Sequence, residues 1–205
     1  TTDSVAQYPY IEAAKNKGYQ VLVFDSHLDA HFVNLLESKF ENAKFARVDA
    51  DSIDNLIQKE DKEKPQLSAN ESRELSYVFE SVLPEGAHYN VQVENLGVTG
   101  APILITQSEF MRRYREMSAM GGGMNFYGEM PQMYNIIVNM ENPLVGKIMS
   151  AAEGHKDDLS AFAGSNDMLK QITDLALLAN GMLKGKELSD FIARSAKDVE
   201  DAYLK

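Results

Sequence analysis

Pro9-Tyr10-Ile11-Glu12-Ala13-Ala14-Lys15-Asn16-Lys17-Gly18-Tyr19-Gln20-Val21-Leu22-Val23-Phe24 changes character at its one glycine. Before Gly18 the residues are helix formers, with Gly18 in the position of a helix C-cap. After it comes an apolar, β-prone run short enough to be a buried strand. Asp25 and Ser26 lead into a second helix whose apolar residues Leu28, Phe32, Leu35 and Leu36 recur at three- and four-residue spacing. The stretch 43–48 reads as a second strand and 53–57 as a short helix. Helix, strand, helix, strand with short connections predicts a small α/β unit with helices laid on a sheet.

Outward from this unit the composition changes. Lys59-Glu60-Asp61-Lys62-Glu63-Lys64-Pro65 is nearly all charge and ends in a helix breaker, which marks a boundary. The expected organisation is residues 1–60 as an α/β subdomain, 61–70 as a charged linker and 71–205 as a second domain. In that second domain a helix is expected over 72–83, with Leu75, Val78, Phe79 and Val82 on one face. Strands follow at 88–96, 101–106 and 133–140, the last two separated by a helix and a glycine-rich loop. These make a small three-stranded sheet, antiparallel or mixed. Helices close the chain at 143–152, 167–183 and 187–204, with Pro143 in a first-turn position and Gly181 and Gly185 flanking a final hairpin. The fold class is therefore an α/β subdomain followed by an α+β domain that ends in a helical hairpin.

The 205 residues suffice for one large or two small cores, and 44% hydrophobic with 25% charged residues is ordinary for a globular protein. No run approaches the ~20 apolar residues of a membrane helix, so no membrane partner is expected. The absence of cysteine removes disulfides, thiolate metal sites and a cysteine nucleophile, and fits a cytoplasmic protein. A net charge of −11 repels nucleic-acid phosphates, and the three clustered arginines Arg112, Arg113 and Arg115 read as a solvated helix face.

Few residues invite chemistry. His27 and His31, four apart beside Asp25 and Asp29, would share a helix face and could bind zinc or nickel, but no third ligand is evident. A metal-dependent α/β enzyme built on them is the alternative functional reading. Gly121-Gly122-Gly123 follows a helix instead of a strand, and Gly-Lys-Ser/Thr is absent, so a phosphate loop is not expected. Asp49, Asp51 and Asp54 read as turn and cap residues, and no Gly-x-Ser-x-Gly elbow exists.

Two apolar features stand out instead. Eight of the ten methionines fall between Met111 and Met149. Methionine is flexible and polarizable, suited both to irregular cores and to promiscuous binding surfaces. Phe110, Met111, Tyr114, Met117 and Met120 form a stripe on one helix, which is either packed on its own sheet or offered to other proteins. The final hairpin carries Met168, Ile172, Leu175, Ala176, Ala179 and Leu183 on one helix, widened by Leu177 and Leu178. Leu188, Phe191, Ile192, Ser195 and Val199 line the other, with Tyr203 near its end. One hairpin covers one side of so broad a face, whereas two hairpins from two chains make a four-helix bundle. The expected dimer interface is Ile172, Leu175, Leu178, Leu188, Phe191, Ile192, Ser195 and Val199. A monomeric domain with an ordinary methionine-rich core is the structural alternative.

The helix, glycine and strand of residues 9–22, Asn142-Pro143-Leu144-Val145 and Asp174-Leu175-Ala176-Leu177-Leu178-Ala179 together resemble the ninety-kilodalton heat-shock chaperones, in the bacterial branch called high-temperature protein G. The order and spacing agree from about residue 8 to 199. Asn142 to Val145 is similar to that family's Asn-Pro-x-His-Pro-Leu-Val segment, without its histidine.

The resemblance implies that residues 1–60 are the last subdomain of the chaperone's middle domain and the rest its C-terminal dimerisation domain. The helix with Phe110, Tyr114 and Met117 would then meet unfolded or partly folded client proteins. ATP and Mg would serve the intact protein elsewhere, leaving this piece without cofactor or catalysis. The chain ends Asp201-Ala202-Tyr203-Leu204-Lys205, unlike the Met-Glu-Glu-Val-Asp tail of eukaryotic cytosolic members.

Overall fold

The computed structural model describes residues 3–24, 26, 28–40, 42, 44–52, 67–107 and 133–203. The chain divides into two compact units. One holds the described residues up to Ser52 together with Thr106 and Gln107; the other holds residues 67–105 and 133–203.

The first unit contains α1 (Tyr8–Asn16) and α2 (Asp29–Lys39). The Asp3 carboxylate accepts from the backbone N–H groups of Val5 and Ala6 and so shapes the turn that starts α1. Ile11 and Ala14 are buried on its inner face. Gly18 sits at φ +80°, where a Cβ would be strained, and the Tyr19 N–H returns to the Ala14 carbonyl at 3.0 Å. The chain thus leaves α1 at the expected place. Asp29, in the first turn of α2, accepts from the Ser26 N–H at 2.8 Å.

The strands expected at 19–24 and 43–48 are not found: none of the described residues in either run belongs to a strand. Leu22 and Val23 are both exposed, so that run is not the buried strand its apolar character predicted. β-branched and aromatic residues favour extended backbone, but a strand also needs an aligned neighbour to take its N–H and C=O groups. Phe24 and Phe45 do meet edge to face, with ring centroids 6.2 Å apart. The stripe expected to bury α2 is likewise mostly exposed at Leu28, Phe32 and Leu35. The short helix at 53–57 and most of the charged linker lie outside the described residues.

The second unit opens with α3 (Ala69–Glu80), one turn earlier than expected. Ser68 is its N-cap, accepting from the Glu71 N–H, while the Glu71 carboxylate accepts from the Ser68 N–H at 2.9 Å. This reciprocal pair satisfies two donors that would otherwise be orphaned at the helix start. Leu75, Val78 and Phe79 are buried on one face, as their spacing predicts.

The sheet has β1 (His88–Glu94), β2 (Ile103–Thr106) and β3 (Met133–Asn139), in the order β1-β3-β2. β1 runs parallel to β3, with Tyr89 opposite Tyr134, Val91 opposite Ile136 and Val93 opposite Val138. These pairs pack towards the core, and the two tyrosines stack at 6.3 Å. At the far edge the Asn139 N–H donates to the Pro102 carbonyl, putting the end of β3 beside the start of β2. The sheet is accordingly mixed, one of the two arrangements expected.

Buried Asn139 holds the β1–β2 connection. Its Oδ1 accepts from the Leu96 and Glu141 N–H groups, and its Nδ2 donates to the Gly97 and Ala101 carbonyls. All four side-chain hydrogen-bonding positions are used, as a buried amide requires. Gly100 lies so close that a Cβ there would be 2.7 Å from the Leu96 carbonyl oxygen and 3.0 Å from Asn139 Nδ2. Asn142 extends the knot, donating to the Gly100 carbonyl and capping the next helix through the Leu144 N–H.

The rest is helical: α4 (Pro143–Ala152), a single 3-10 turn (Glu153–His155), α5 (Leu159–Ser165), α6 (Asp167–Ala179) and α7 (Gly185–Tyr203). α5 was not expected; Asp158 caps it, accepting from the Ala161 N–H, and it buries Phe162 and Ala163. One core joins α3, β2, β3 and α4 to α7, with Phe79, Ile148, Leu169 and Leu177 fully buried.

Candidate functional site

α6 and α7 form the hairpin that periodicity predicted. Asn166 starts α6 by accepting from the Leu169 N–H. Gly181 and Gly185, at φ +67° and +58°, make the two backbone turns that end α6 and begin α7. Polar side chains fasten the helices together. Arg194 Nη2 donates to Asp174 Oδ2 at 2.5 Å and its Nε to Gln171 Oε1 at 3.2 Å, while Gln171 Nε2 donates to the Ser195 hydroxyl at 2.7 Å. Arg194 and Asp174 are both mostly buried, so this ion pair is less screened than a surface pair.

The eight residues expected at a dimer interface divide three ways. Ile172 and Phe191 are buried in the chain's own core. Leu188 packs partly against that core, and the Ser195 hydroxyl is engaged by Gln171. Leu175 (54% exposed), Leu178 (39%), Ile192 (57%) and Val199 (58%) face outward, joined by Tyr203 at 82%. On α7 the steps from Ile192 to Val199 and Tyr203 keep one helix face.

α7 has 19 residues and α6 has 13, so α7 is longer by roughly 9 Å at 1.5 Å per residue. Asp174 lies beside Arg194 and Gln171 beside Ser195, which puts Val199 to Tyr203 at or past the start of α6. The last turn of α7 thus carries apolar side chains with little of its own hairpin beneath them. What the surface can do is non-covalent: it offers apolar area.

Sequence reasoning missed the Arg194, Asp174 and Gln171 fastening. Its signal was present, since Gln171 and Asp174 are three apart on one helix face, but the partners depend on the register of the hairpin. The stripe Phe110, Met111, Tyr114, Met117 and Met120 lies outside the described residues. So does His27; of His31 only the backbone, within α2, is described. Among the described residues no group of three or more His, Asp or Glu could hold a metal ion, and no helix is long and apolar enough to cross a membrane.

The first unit holds an open apolar depression of about 540 Å3 between α1 and the extended run, lined by Val5, Tyr8, Ile11, Val21 and Val23 with Ser4 and Lys15. Asp49 lies in a turn, as its sequence context indicated, and is also a partly buried acceptor. It takes hydrogen bonds from Gln7 Nε2 at 2.7 Å and from Arg47 Nε at 2.8 Å. Burial pushes its carboxyl pKa up, but these hydrogen bonds and the Arg47 charge outweigh that and hold it below the usual range. Burial, with the Asp49 charge nearby, pushes the Tyr10 hydroxyl up to about 12.

Comparison with known proteins bears on the whole length. The family model for Hsp90 protein matches residues 1–201. The chaperone protein htpG of Bacteroides fragilis (strain 638R) is 39% identical over 92% of the chain. The HtpG chaperones of Porphyromonas gingivalis (strain ATCC 33277) and Bacteroides thetaiotaomicron are 37% and 36% identical over 96% and 92% of it. The chain spans 36 to 37% of the length of these relatives. A match along nearly the entire chain, with identity sustained across both compact units, means that this protein belongs to the Hsp90 family.

Proposed function

We propose that the chain is the dimerising and client-facing region of a bacterial, ATP-dependent chaperone, acting without catalysis of its own. In this reading residues 1–60 are the last subdomain of the middle domain, 61–70 a charged linker and 71–205 the C-terminal dimerisation domain. ATP and Mg act elsewhere in the intact cytoplasmic protein. The single observation that supports the reading is the outward stripe of Leu175, Leu178, Ile192, Val199 and Tyr203 on a hairpin whose inner face is already filled. A self-complementary apolar face pairs with its own copy about a two-fold axis. The contact joins two chains so that their upstream arms stay within reach of each other. The methionine-rich stripe from Phe110 to Met120 supplies the client surface.

The test is sedimentation velocity on the chain beside a Leu178→Glu/Ile192→Glu variant. Both substitutions lie on exposed positions, so the variant keeps its core. A dimer that becomes a folded monomer supports the reading, and a wild-type chain monomeric at all concentrations overturns it.

A further inference from the structure

The turn between α6 and α7 carries Asn180-Gly181, the one Asn-Gly pair in the chain. Both residues are exposed. Glycine after asparagine leaves the backbone nitrogen unshielded, which is the sequence condition for asparagine to cyclise onto its own backbone. We propose that Asn180 is a deamidation site gated by the hairpin turn, closed to reaction in the folded chain and opened when the end of α6 unwinds.

In the reaction the Gly181 backbone nitrogen attacks Asn180 Cγ, forming a C–N bond as the Cγ–Nδ2 bond breaks. Nδ2 leaves as ammonia, taking up the proton lost from the Gly181 nitrogen. Water then adds to either carbonyl of the five-membered imide, giving aspartate or isoaspartate. Water and hydroxide are the only co-reactants.

The folded turn opposes each requirement of the attack. The Gly181 N–H donates to the Leu178 carbonyl at 3.0 Å, and the flanking Asn180 and Met182 N–H groups both donate to the Leu177 carbonyl. The attacking nitrogen is therefore held in a run of three amides that close the last turn of α6. The leaving group is held as well, since Asn180 Nδ2 donates to the Ala176 carbonyl at 2.8 Å. Asn180 has φ −99° and ψ 9°, a near-helical backbone that turns the Gly181 nitrogen away from its own side-chain carbonyl. Bringing nitrogen onto Cγ requires rotation of Asn180 about both ψ and χ1, which breaks the hydrogen bonds of the Gly181 and Met182 N–H groups and of Nδ2 together.

Conversion is self-reinforcing. A carboxylate at residue 180 cannot donate to the Ala176 carbonyl and faces the negative end of the α6 dipole. Isoaspartate also adds a backbone atom inside the three-amide turn. The product therefore favours the open turn that formed it. This inference rests on the turn geometry and stands apart from the dimer reading.

The experiment is incubation of the chain at mildly alkaline pH, followed by mass spectrometry of the tryptic peptide spanning Asn180, in buffer and in urea. The expected result is that deamidation at Asn180 is at least about tenfold slower in buffer than in urea, because closing the turn must be undone first. In urea, where folding no longer matters, Gly181→Ala should slow the reaction by restoring a side chain beside the nitrogen. In buffer, Arg194→Ala, which loosens the hairpin, should speed it towards the urea rate. Equal rates in buffer and urea, or no conversion at Asn180 in urea, would overturn the proposal.

Discussion

Replacing Ile192 by alanine isolates the outward stripe from the core. Ile192 is 57% exposed, whereas its neighbour Phe191 is 7% exposed. The substitution removes three carbon groups, worth about 2.4 kcal/mol at ~0.8 kcal/mol each if fully transferred from water. Only the exposed fraction of Ile192, 57%, is available to a second chain, which leaves about 1.4 kcal/mol per copy. A two-fold interface loses it twice, so the dimer should weaken by ~2.7 kcal/mol, about a hundredfold in Kd. The isolated chain loses only the share it already buries, about 1 kcal/mol. The assay is sedimentation equilibrium across a concentration series, beside thermal unfolding of the variant at a concentration where it is monomeric. A Kd within threefold of wild type in a variant whose melting falls by only a few degrees would refute the assignment of this stripe to self-association. A large drop in the monomer's melting temperature would show instead that Ile192 is part of the core.

Gly100→Ala should lower the urea midpoint by the equivalent of ~1–3 kcal/mol, because the added carbon falls against the Leu96 carbonyl and the Asn139 amide; an unchanged midpoint would mean that the knot yields freely. Arg194→Ala and Asp174→Ala should each destabilise the hairpin by about 1 kcal/mol, and a double-mutant cycle should return a coupling of similar size. Additive effects would show that the pair contributes nothing as a pair. The first unit should lose stability at both ends of the pH scale. Asp49 has a folded pKa below its unfolded value, so its contribution is present above the unfolded carboxylate pKa and is lost as pH falls through the folded one. Tyr10 is raised from 10.0 to about 12, so its contribution is complete below 10 and is lost as pH rises towards 12. Tyr10→Phe should remove the alkaline loss and Asp49→Asn the acidic one, read by hydrogen exchange of α1. Profiles identical to wild type would contradict this account.

What could be read from the residues alone was whatever local chemistry decides. Gly18 ends α1, Leu75, Val78 and Phe79 mark one helix face, and Pro143 opens α4, because capping and periodicity act within a few residues. The α6–α7 hairpin was legible for the same reason, from its glycines and its long amphipathic stripes. The capping box at Ser68 and Glu71 is equally local, but it straddles the expected boundary between the 61–70 linker and the second domain.

Tertiary structure decided the rest. The pairing of β1 with β3 joins residues forty-five positions apart, and nothing in either run specifies a parallel partner. The described residues at 19–24 and 44–48 have the propensity for strands and belong to none, since propensity describes one chain segment and a ladder needs two. On the last two helices the apolar arc is too wide for periodicity to say which part is core. The fold answers by turning Ile172 and Phe191 inward and leaving Leu175, Leu178, Ile192 and Val199 in solvent. Sequence determines that a helix has an apolar side; only the packing of its neighbours determines how much of that side is left for another molecule.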